Sequence, residues 1–264
     1  MKTTKDNPAA FKKVLPVTLV RLIKKTLKMI LNRRVIKARN FLTAEVLNYF
    51  ARKGKSNQFY CNLCKEESSY FFHTSNEKRI LRNSICPNCS SRKRHRGLFE
   101  EYKNILSDLG NPKILHFAPE PVFYKLFQSY NYVTADIELD DVDLKLNIQK
   151  IDCNSKSYKL ILCNHVLEHV KDDKKAIDEL ERILQPSGIL LITVPGDWTR
   201  DKIVEYSKAD GNGHYRDYGL DFIEILKKKF TGVEVVDLYK YNDIYNYSIG
   251  LTPNHDLAFV CHKT

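Results

Sequence analysis

Four of the seven cysteines fall in two close pairs, Cys61-Asn-Leu-Cys64 and Cys86-Pro-Asn-Cys89, separated by 21 residues. Zinc is bound by four thiolates at tetrahedral corners, and a two-residue gap lets one tight turn supply two of them. Four ligands leave no open position. The spacing therefore predicts a structural zinc on Cys61, Cys64, Cys86 and Cys89. Two copies exceed what a redox Cys-x-x-Cys needs, and disulfides need an oxidising compartment. Cys153, Cys163 and Cys261 are scattered. An odd total, with no apolar leader at the N-terminus, points to a reducing cytoplasmic setting.

A second group of residues could do other chemistry. Ile114–Phe117, Tyr132–Ala135, Leu144–Ile148, Lys159–Cys163 and Ile189–Val194 read as strands, and polar residues stand at their carboxyl ends. Open parallel sheets bind ligands there. Asp136 stands twenty residues after His116, the spacing at which an acid accepts hydrogen bonds from ribose hydroxyls. The candidate cofactor contacts are His116, Phe117, Ala118 and Glu120 after the first strand and Asp136 and Ile137 after the second. Asn147 and Ile148 follow the third, and Asn164 and His165 the fourth. His165-Val166-Leu167-Glu168-His169 matches the His-x-x-Glu-His of inverted zinc peptidases, but here it directly follows an apolar strand, which that chemistry does not use.

The positioning elements follow from periodicity. Helices are predicted at Pro121–Ser129, Asp172–Leu184 and Leu220–Phe230, and last strands at Val233–Tyr239 and Leu257–Cys261, the final two as an antiparallel hairpin at one edge. Alternating strands and helices imply an α/β, mostly parallel sheet covered on both faces. A helix through Leu98, Tyr102, Ile105 and Leu106 connects it to the cysteine segment and stops at Gly110-Asn111-Pro112. The expected division is a basic helical arm over 1–57, a zinc ribbon and connecting helix over 58–110, and a Rossmann-like domain over 111–264.

The net charge of +11 is unevenly placed. Residues 1–57 hold 15 Lys and Arg against Asp6 and Glu45, which leaves the remainder slightly acidic. Leu19, Val20, Ile23, Leu27, Ile30 and Leu31 fall at helical spacing, with Arg21, Lys24, Lys25 and Lys28 opposite. A second helical piece covers Phe41–Ala51. The arm either docks on protein or lies through residues 1–40 on an anionic membrane surface; nucleic acid is a third partner class. Arg92 to Arg96 form a further basic run, read as a solvated helix face.

Tyr158-Lys159-Leu160-Ile161-Leu162-Cys163-Asn164-His165-Val166-Leu167-Glu168-His169-Val170 resembles the fourth-strand block of class I S-adenosylmethionine-dependent methyltransferases. Leu184-Gln185-Pro186-Ser187-Gly188 is similar to the block that leads into their fifth strand. The likeness covers about residues 112–262. A bacterial subgroup with a Leu-His-Phe-Ala-Pro-Glu first loop and an N-terminal cysteine ribbon extends it to about residue 58. The resemblance implies S-adenosylmethionine as cofactor and methyl transfer, with a sugar, glycan or related small-molecule hydroxyl as acceptor. It matches His214, Arg216, Tyr218 and Gly219 to an Asp-His-x-Arg-x-Tyr-Gly block in the acceptor-side loop. His165 and His214 are the catalytic candidates, since a hydroxyl nucleophile needs a base and histidine titrates in the right range. Trp198, Thr199 and Arg200 are candidate acceptor-pocket residues. Some relatives acting on hydroxyls hold a divalent cation from this block, which would fall on Glu168, His169 and His214. One departure is plain: the first loop, usually glycine-rich, has no glycine. Two other functions stay open, an RNA methyltransferase gripping phosphates with ribbon and arm, and a non-catalytic cofactor-binding or scaffold protein. The protein is expected in the cytoplasm or peripherally at the inner membrane face.

Overall fold

The computed structural model describes residues 21–31, 35–53, 59–75, 80–239 and 256–264. The chain divides into two compact units, residues 1–92 and 93–264. Leu19, Val20, Arg33 and Arg34 of the predicted arm lie outside the described residues.

In the first unit, residues 21–31 are helical (α1), followed by α2, Val35–Ala51. The sequence predicts only Phe41–Ala51 of α2; the helix starts earlier. Two antiparallel hairpins follow: β1, Phe59–Cys61, with β2, Glu66–Ser68, and β3, Phe72–Ser75, with β4, Ile80–Ile85. Asn48 joins α2 to β3. Its amide donates to the His73 carbonyl at 3.0 Å, and its Oδ1 accepts from the His73 N–H at 2.6 Å. Phe71 is buried with Cys61 and Cys86, and Phe59 stacks on it at 5.2 Å.

The second unit begins with α3, Lys93–Leu109, which buries Leu98, Tyr102, Ile105 and Leu106. The helix expected to connect to the cysteine segment thus belongs to the second unit, where Tyr102 meets Asn164 at the end of the fourth parallel strand. Gly110 ends it at φ 71°, a left-handed position that glycine takes without strain.

The sheet has seven strands in spatial order β12-β13-β9-β8-β5-β6-β7. These are β5, Lys113–Phe117; β6, Asn131–Asp136; β7, Leu144–Lys145; β8, Tyr158–Asn164; β9, Leu184–Thr193; β12, Gly232–Asp237; and β13, Leu257–His262. β5 to β9 pair in parallel, and β13 runs antiparallel to both β9 and β12. This is the Rossmann-like class I methyltransferase sheet, with the expected antiparallel edge hairpin. A short ribbon, β10 (Val204–Glu205) with β11 (Arg216–Asp217), lies after β9. The helix expected at Pro121–Ser129 is a 3-10 turn, Pro121–Phe123, running into α4, Tyr124–Phe127. α5, Asp173–Ile183, is capped by Asp172, whose carboxylate accepts from Lys175 N at 2.9 Å. It buries Ala176, Ile177, Leu180 and Ile183 into the core shared with β8 and β9. α6, Asp221–Lys227, contributes Phe222 and Leu226 to the same core.

β9 differs from the sequence expectation in starting at Leu184, not Ile189. Tyr158 pairs with Leu184, then the register shifts before Leu160 meets Ile189. Pro186, which has no N–H to give a ladder, and Ser187, at φ 51°, occupy this irregular stretch.

Candidate active site

The strand order reverses between β5 and β8, and their carboxyl ends open on a cavity of about 570 Å³. Phe117, Ala118, Asp136, Ile137, Asn147, Ile148 and His165 all line it. The structure therefore brings together seven of the ten cofactor candidates. Glu138, Gln149, Val166, Val170, Lys171 and Tyr215 also line it and were not singled out from the sequence.

The glycine-free loop solves its geometry with alanine. Ala118 sits at φ 49°, the left-handed region that a glycine would take freely, and its N–H donates to Ala135 O at 2.9 Å. At the end of β8, His165 has φ 52°, with its N–H on Thr193 O at 2.8 Å. Asp136 uses Oδ1 to accept from the N–H groups of Glu138, at 2.7 Å, and Leu139, at 2.9 Å. Asn147 closes a similar turn, accepting from Gln149 N at 2.9 Å.

His116, Glu120 and Asn164 do not line the cavity; they form a buried network. Asn164 donates to Tyr102 Oη at 2.6 Å and to Glu120 Oε2 at 3.0 Å, and its Nδ2 lies 3.4 Å from His116 Nε2. His116 Nδ1 meets Tyr132 Oη at 2.8 Å. His95 and Arg94 face Glu120 at 3.0 and 3.4 Å. Burial holds His116 down to about 4, so it is neutral. Burial alone would raise Glu120, but the His95 hydrogen bond and the charges of His95 and Arg94 hold it at about 2. His95 and Arg96 are buried, so these two leave the solvated face expected of the basic run, whereas Arg92 is exposed and Lys93 and Arg94 are half-buried.

Beyond β8, Leu167–His169 forms a 3-10 turn. Glu168 is buried there at 1% exposure; its Oε1 lies 3.2 Å from His165 Nδ1 and 3.9 Å from His169 Nε2. Its Oε2 is buried without a hydrogen-bond partner. His169 Nδ1 reaches the Gly213 carbonyl at 3.1 Å and must donate to it; in the neutral ring Nε2 then carries the lone pair. The His169 and His214 rings stand 4.9 Å apart, and the ligand atoms of Glu168, His169 and His214 lie within 4.8 Å of one another.

Arg216 holds this turn in place. Its Nη1 donates to the carbonyls of Leu167 (2.9 Å) and Val170 (2.7 Å), and its Nη2 to that of Lys171 (2.7 Å). Tyr218 Oη donates to Asp173 at 2.9 Å. A Cβ on Gly219 would lie 2.5 Å from the Lys202 carbonyl, which explains that glycine. Trp198 packs into the core against Phe259, and Arg200 pairs with Asp197 and Asp217; neither residue lines the cavity, nor does Thr199.

In the first unit the four paired cysteines converge. Cys61 Sγ lies 3.7 Å from Cys89 Sγ, and Cys64 Sγ 3.8 Å from Cys86 Sγ. Hydrogen bonding, first with Cys86, lowers the Cys61 thiol well below its ordinary range against the opposing effect of burial.

The methyltransferase-domain family profile matches residues 98–238, which span the sheet's parallel strands and the cavity. The chain belongs to that family, and it is an S-adenosylmethionine-dependent methyltransferase. A search of curated proteins finds no match. Among solved structures, similar chains include the Burkholderia thailandensis 1,6-didemethyltoxoflavin-N1-methyltransferase with bound 1,6-didemethyltoxoflavin and S-adenosylhomocysteine. It shows 16% identity, 64% coverage of this chain and 78% of that one, and a TM-score of 0.46. A SAM-dependent methyltransferase from Archaeoglobus fulgidus shows 13% identity, coverages of 62% and 94%, and a TM-score of 0.43. Haemonchus contortus phosphoethanolamine N-methyltransferase 2 in complex with S-adenosyl-L-methionine shows 14% identity, with 63% of this chain covering 52% of that one, and a TM-score of 0.42.

Proposed function

We propose that the enzyme methylates a hydroxyl of a sugar, glycan or related small molecule, with His165 as general base. The observation that carries this reading is the His165–Glu168 pair at the cavity wall. A buried carboxylate that accepts from Nδ1 fixes the ring and leaves Nε2 as the basic nitrogen. The bound cofactor supplies an electrophilic methyl on sulfonium; the protein's part is to hold the acceptor oxygen close and collinear and to take its proton. Asp136, whose Oδ2 is not used in its turn, is the candidate ribose acceptor. Phe117, Ala118, Ile137, Asn147 and Ile148 are the candidate walls of the cofactor cleft.

A divalent cation on Glu168, His169 and His214 is a second reading; of the three, His169 lines the cavity. The unpartnered Glu168 Oε2 and the His169 lone pair fit it, since a ligating histidine ordinarily donates its other N–H to a carbonyl. Such an ion would polarise the acceptor hydroxyl. RNA as acceptor is weakened by the pairing of Arg94 and His95 with Glu120 and by the burial of His95 and Arg96, which leaves fewer cations for phosphate.

The cysteine cluster is proposed as a structural zinc ribbon. Four sulfurs each about 2.3 Å from one centre stand about 3.8 Å apart, and the measured contacts of 3.7 and 3.8 Å fit. With all four positions filled by protein, the metal takes no part in methyl transfer. The basic arm, residues 1–40, is proposed to bring the enzyme to an anionic membrane surface, at the inner face of the cytoplasmic membrane.

The test of function is S-adenosylhomocysteine release against a panel of hydroxylated acceptors, with and without chelator. His165→Ala should keep cofactor affinity and lose roughly 100-fold or more in kcat. Equal turnover in that variant would remove His165 as base. Activity that falls with chelator and returns with a divalent ion would favour the cation reading.

A further inference from the structure

Helix α2 is built inside out. The face it lays against β3 and β4 carries Ala38, Asn40, Ala44 and Asn48, all buried. Six of its eight large apolar side chains point the other way: Val35, Ile36, Leu42, Val46, Tyr49 and Phe50 are exposed, Phe50 at 64%, while Phe41 lines the inner cleft and Leu47 is half-buried. α1 does the same with Ile23, Leu27, Ile30 and Leu31. Ten of the seventeen exposed large apolar side chains among the described residues lie in these two helices. A concentration of this kind marks an interaction surface.

Charge identifies the partner. Between Arg21 and Lys53 the sequence has ten Lys and Arg and a single acid, Glu45. Glu45 lines the inner cleft with Lys25, Lys37 and Arg52, off the outward face. That face carries Arg39 and Lys53, both exposed, and the Lys53 ammonium rests 4.5 Å from the centre of the Tyr49 ring. A second copy of the chain would bring these cations against each other with no acid to meet them. Nucleic acid would find two rings, Tyr49 and Phe50, but Val35, Ile36, Leu42 and Val46 around them offer a phosphate backbone no donor. An acidic bilayer satisfies both parts of the pattern: apolar side chains enter the headgroup–acyl boundary, and long cationic side chains reach acidic headgroups beside them. No helix among the described residues is long and apolar enough to cross a membrane.

We propose that the outward face of α2, together with Ile23, Leu27 and Ile30 of α1, is a docking surface for an anionic lipid bilayer. This deepens the arm reading above, which it needs only for the class of partner; it moves the main contact from residues 1–40 to Val35–Ala51. It is independent of which acceptor is methylated.

The experiment is co-flotation of the full chain with phosphatidylcholine vesicles, with and without phosphatidylserine. The wild type should float with the acidic vesicles only. The triple variant Leu42→Ser, Val46→Asn, Phe50→Ser changes exposed positions, so thermal stability and cofactor binding, measured alongside, should stay as in the wild type. Its partitioning to acidic vesicles should fall roughly tenfold or more. Arg39→Glu with Lys53→Glu should lower it as well, and salt should lower the wild type only in part. Three results would overturn the proposal. No flotation of the wild type would remove the membrane reading of the arm altogether. Flotation of the triple variant at the wild-type level would put the contact elsewhere in the arm. A wild-type dimer turned monomeric by the triple variant would identify a second copy as the occupant. A variant that no longer binds cofactor would instead be replaced by the single changes Val46→Asn and Phe50→Ser, each expected to weaken flotation.

Discussion

The hydroxyl of Tyr218 donates to Asp173 at 2.9 Å, and the same carboxylate oxygen lies 3.5 Å from the Arg216 guanidinium. Asp173 opens α5, while Arg216 pins the carbonyls that follow β8. The segment that carries Arg216 and Tyr218 is thereby tied to the turn that carries Glu168 and His169. Arg216→Ala should leave the buried Asp173 without its cation and take donors from the carbonyls of Leu167, Val170 and Lys171, a loss of about 3–5 kcal/mol. Tyr218→Phe removes one hydrogen bond to a charged group and should cost about 1.5–3 kcal/mol. Urea unfolding measures both. If Arg216→Ala unfolded at the wild-type midpoint, the clamp would have no energetic role.

Asp136 does two jobs, and the choice of variant separates them. Its Oδ1 closes the turn on Glu138 and Leu139. Asp136→Asn keeps a carbonyl oxygen for that turn and removes the charge. Cofactor affinity should fall by about 1.5–3 kcal/mol for each charge-assisted bond lost, with the melting temperature nearly unchanged. Calorimetric titration with S-adenosylhomocysteine reads the first and a thermal scan the second. Full affinity in Asp136→Asn would take Asp136 out of the cofactor site.

The sequence carries most of this domain and part of the site, and the differences at His116 and Asn164 share one cause. A strand end looks in sequence like a row of ligand-facing polar residues, but successive side chains on a strand point to opposite faces. Phe117 and His165 face the cavity, so their neighbours His116 and Asn164 go to the other side and form the buried network. β7 ends at Lys145, short of the strand expected to Ile148, because the Asn147 side chain turns the chain on Gln149. The β10–β11 ribbon was invisible, since two-residue strands have no periodicity to detect. The inside-out helix α2 was equally hidden: its apolar spacing is helical whichever face is buried.

Ala118 offers a test of stored strain. At φ 49° an alanine pays roughly 1–2 kcal/mol relative to an ordinary helical or extended backbone, while glycine there costs more chain entropy, about 0.5–1 kcal/mol. Ala118→Gly should therefore be neutral to about 1 kcal/mol stabilising. Ala118→Val, with a branched Cβ in the same region, should destabilise and should weaken cofactor binding, because the residue lines the cavity. Chemical denaturation of the two variants decides it; a marked loss of stability in the glycine variant would show that Ala118 is not strained.

The cysteine cluster predicts about one zinc per chain, removable only with loss of structure in residues 59–92. The hairpins bury few apolar groups, chiefly Phe71 with Phe59 and Leu63, so the metal has to hold them. Metal analysis after gel filtration should give that ratio, and Cys86→Ser should lower it. Resistance of this segment to proteolysis should fall on treatment with a strong chelator. A metal-free protein with wild-type protection would refute the ribbon.

The buried network below the site makes stability depend on acid in a set order. His116 falls from 6.5 to about 4 on folding, and Glu120 from 4.5 to about 2. Both folded values lie below the unfolded ones, so the unfolded chain binds protons first as the pH falls, and stability declines with it. The His116 contribution is complete above about 6.5 and lost down to about 4; that of Glu120 is complete above about 4.5 and lost as the pH falls towards about 2. Each unit of separation corresponds to about 1.4 kcal/mol. Unfolding free energy measured from pH 7 to pH 4 should thus fall mainly through His116. His116→Gln lowers stability at pH 7 by disturbing the contacts to Tyr132 and Asn164, but it has no imidazole to protonate. Its stability should change less between pH 6.5 and pH 5, and the wild-type and variant curves should converge as the pH falls. Parallel curves across that interval would mean that His116 does not resist protonation in the folded protein.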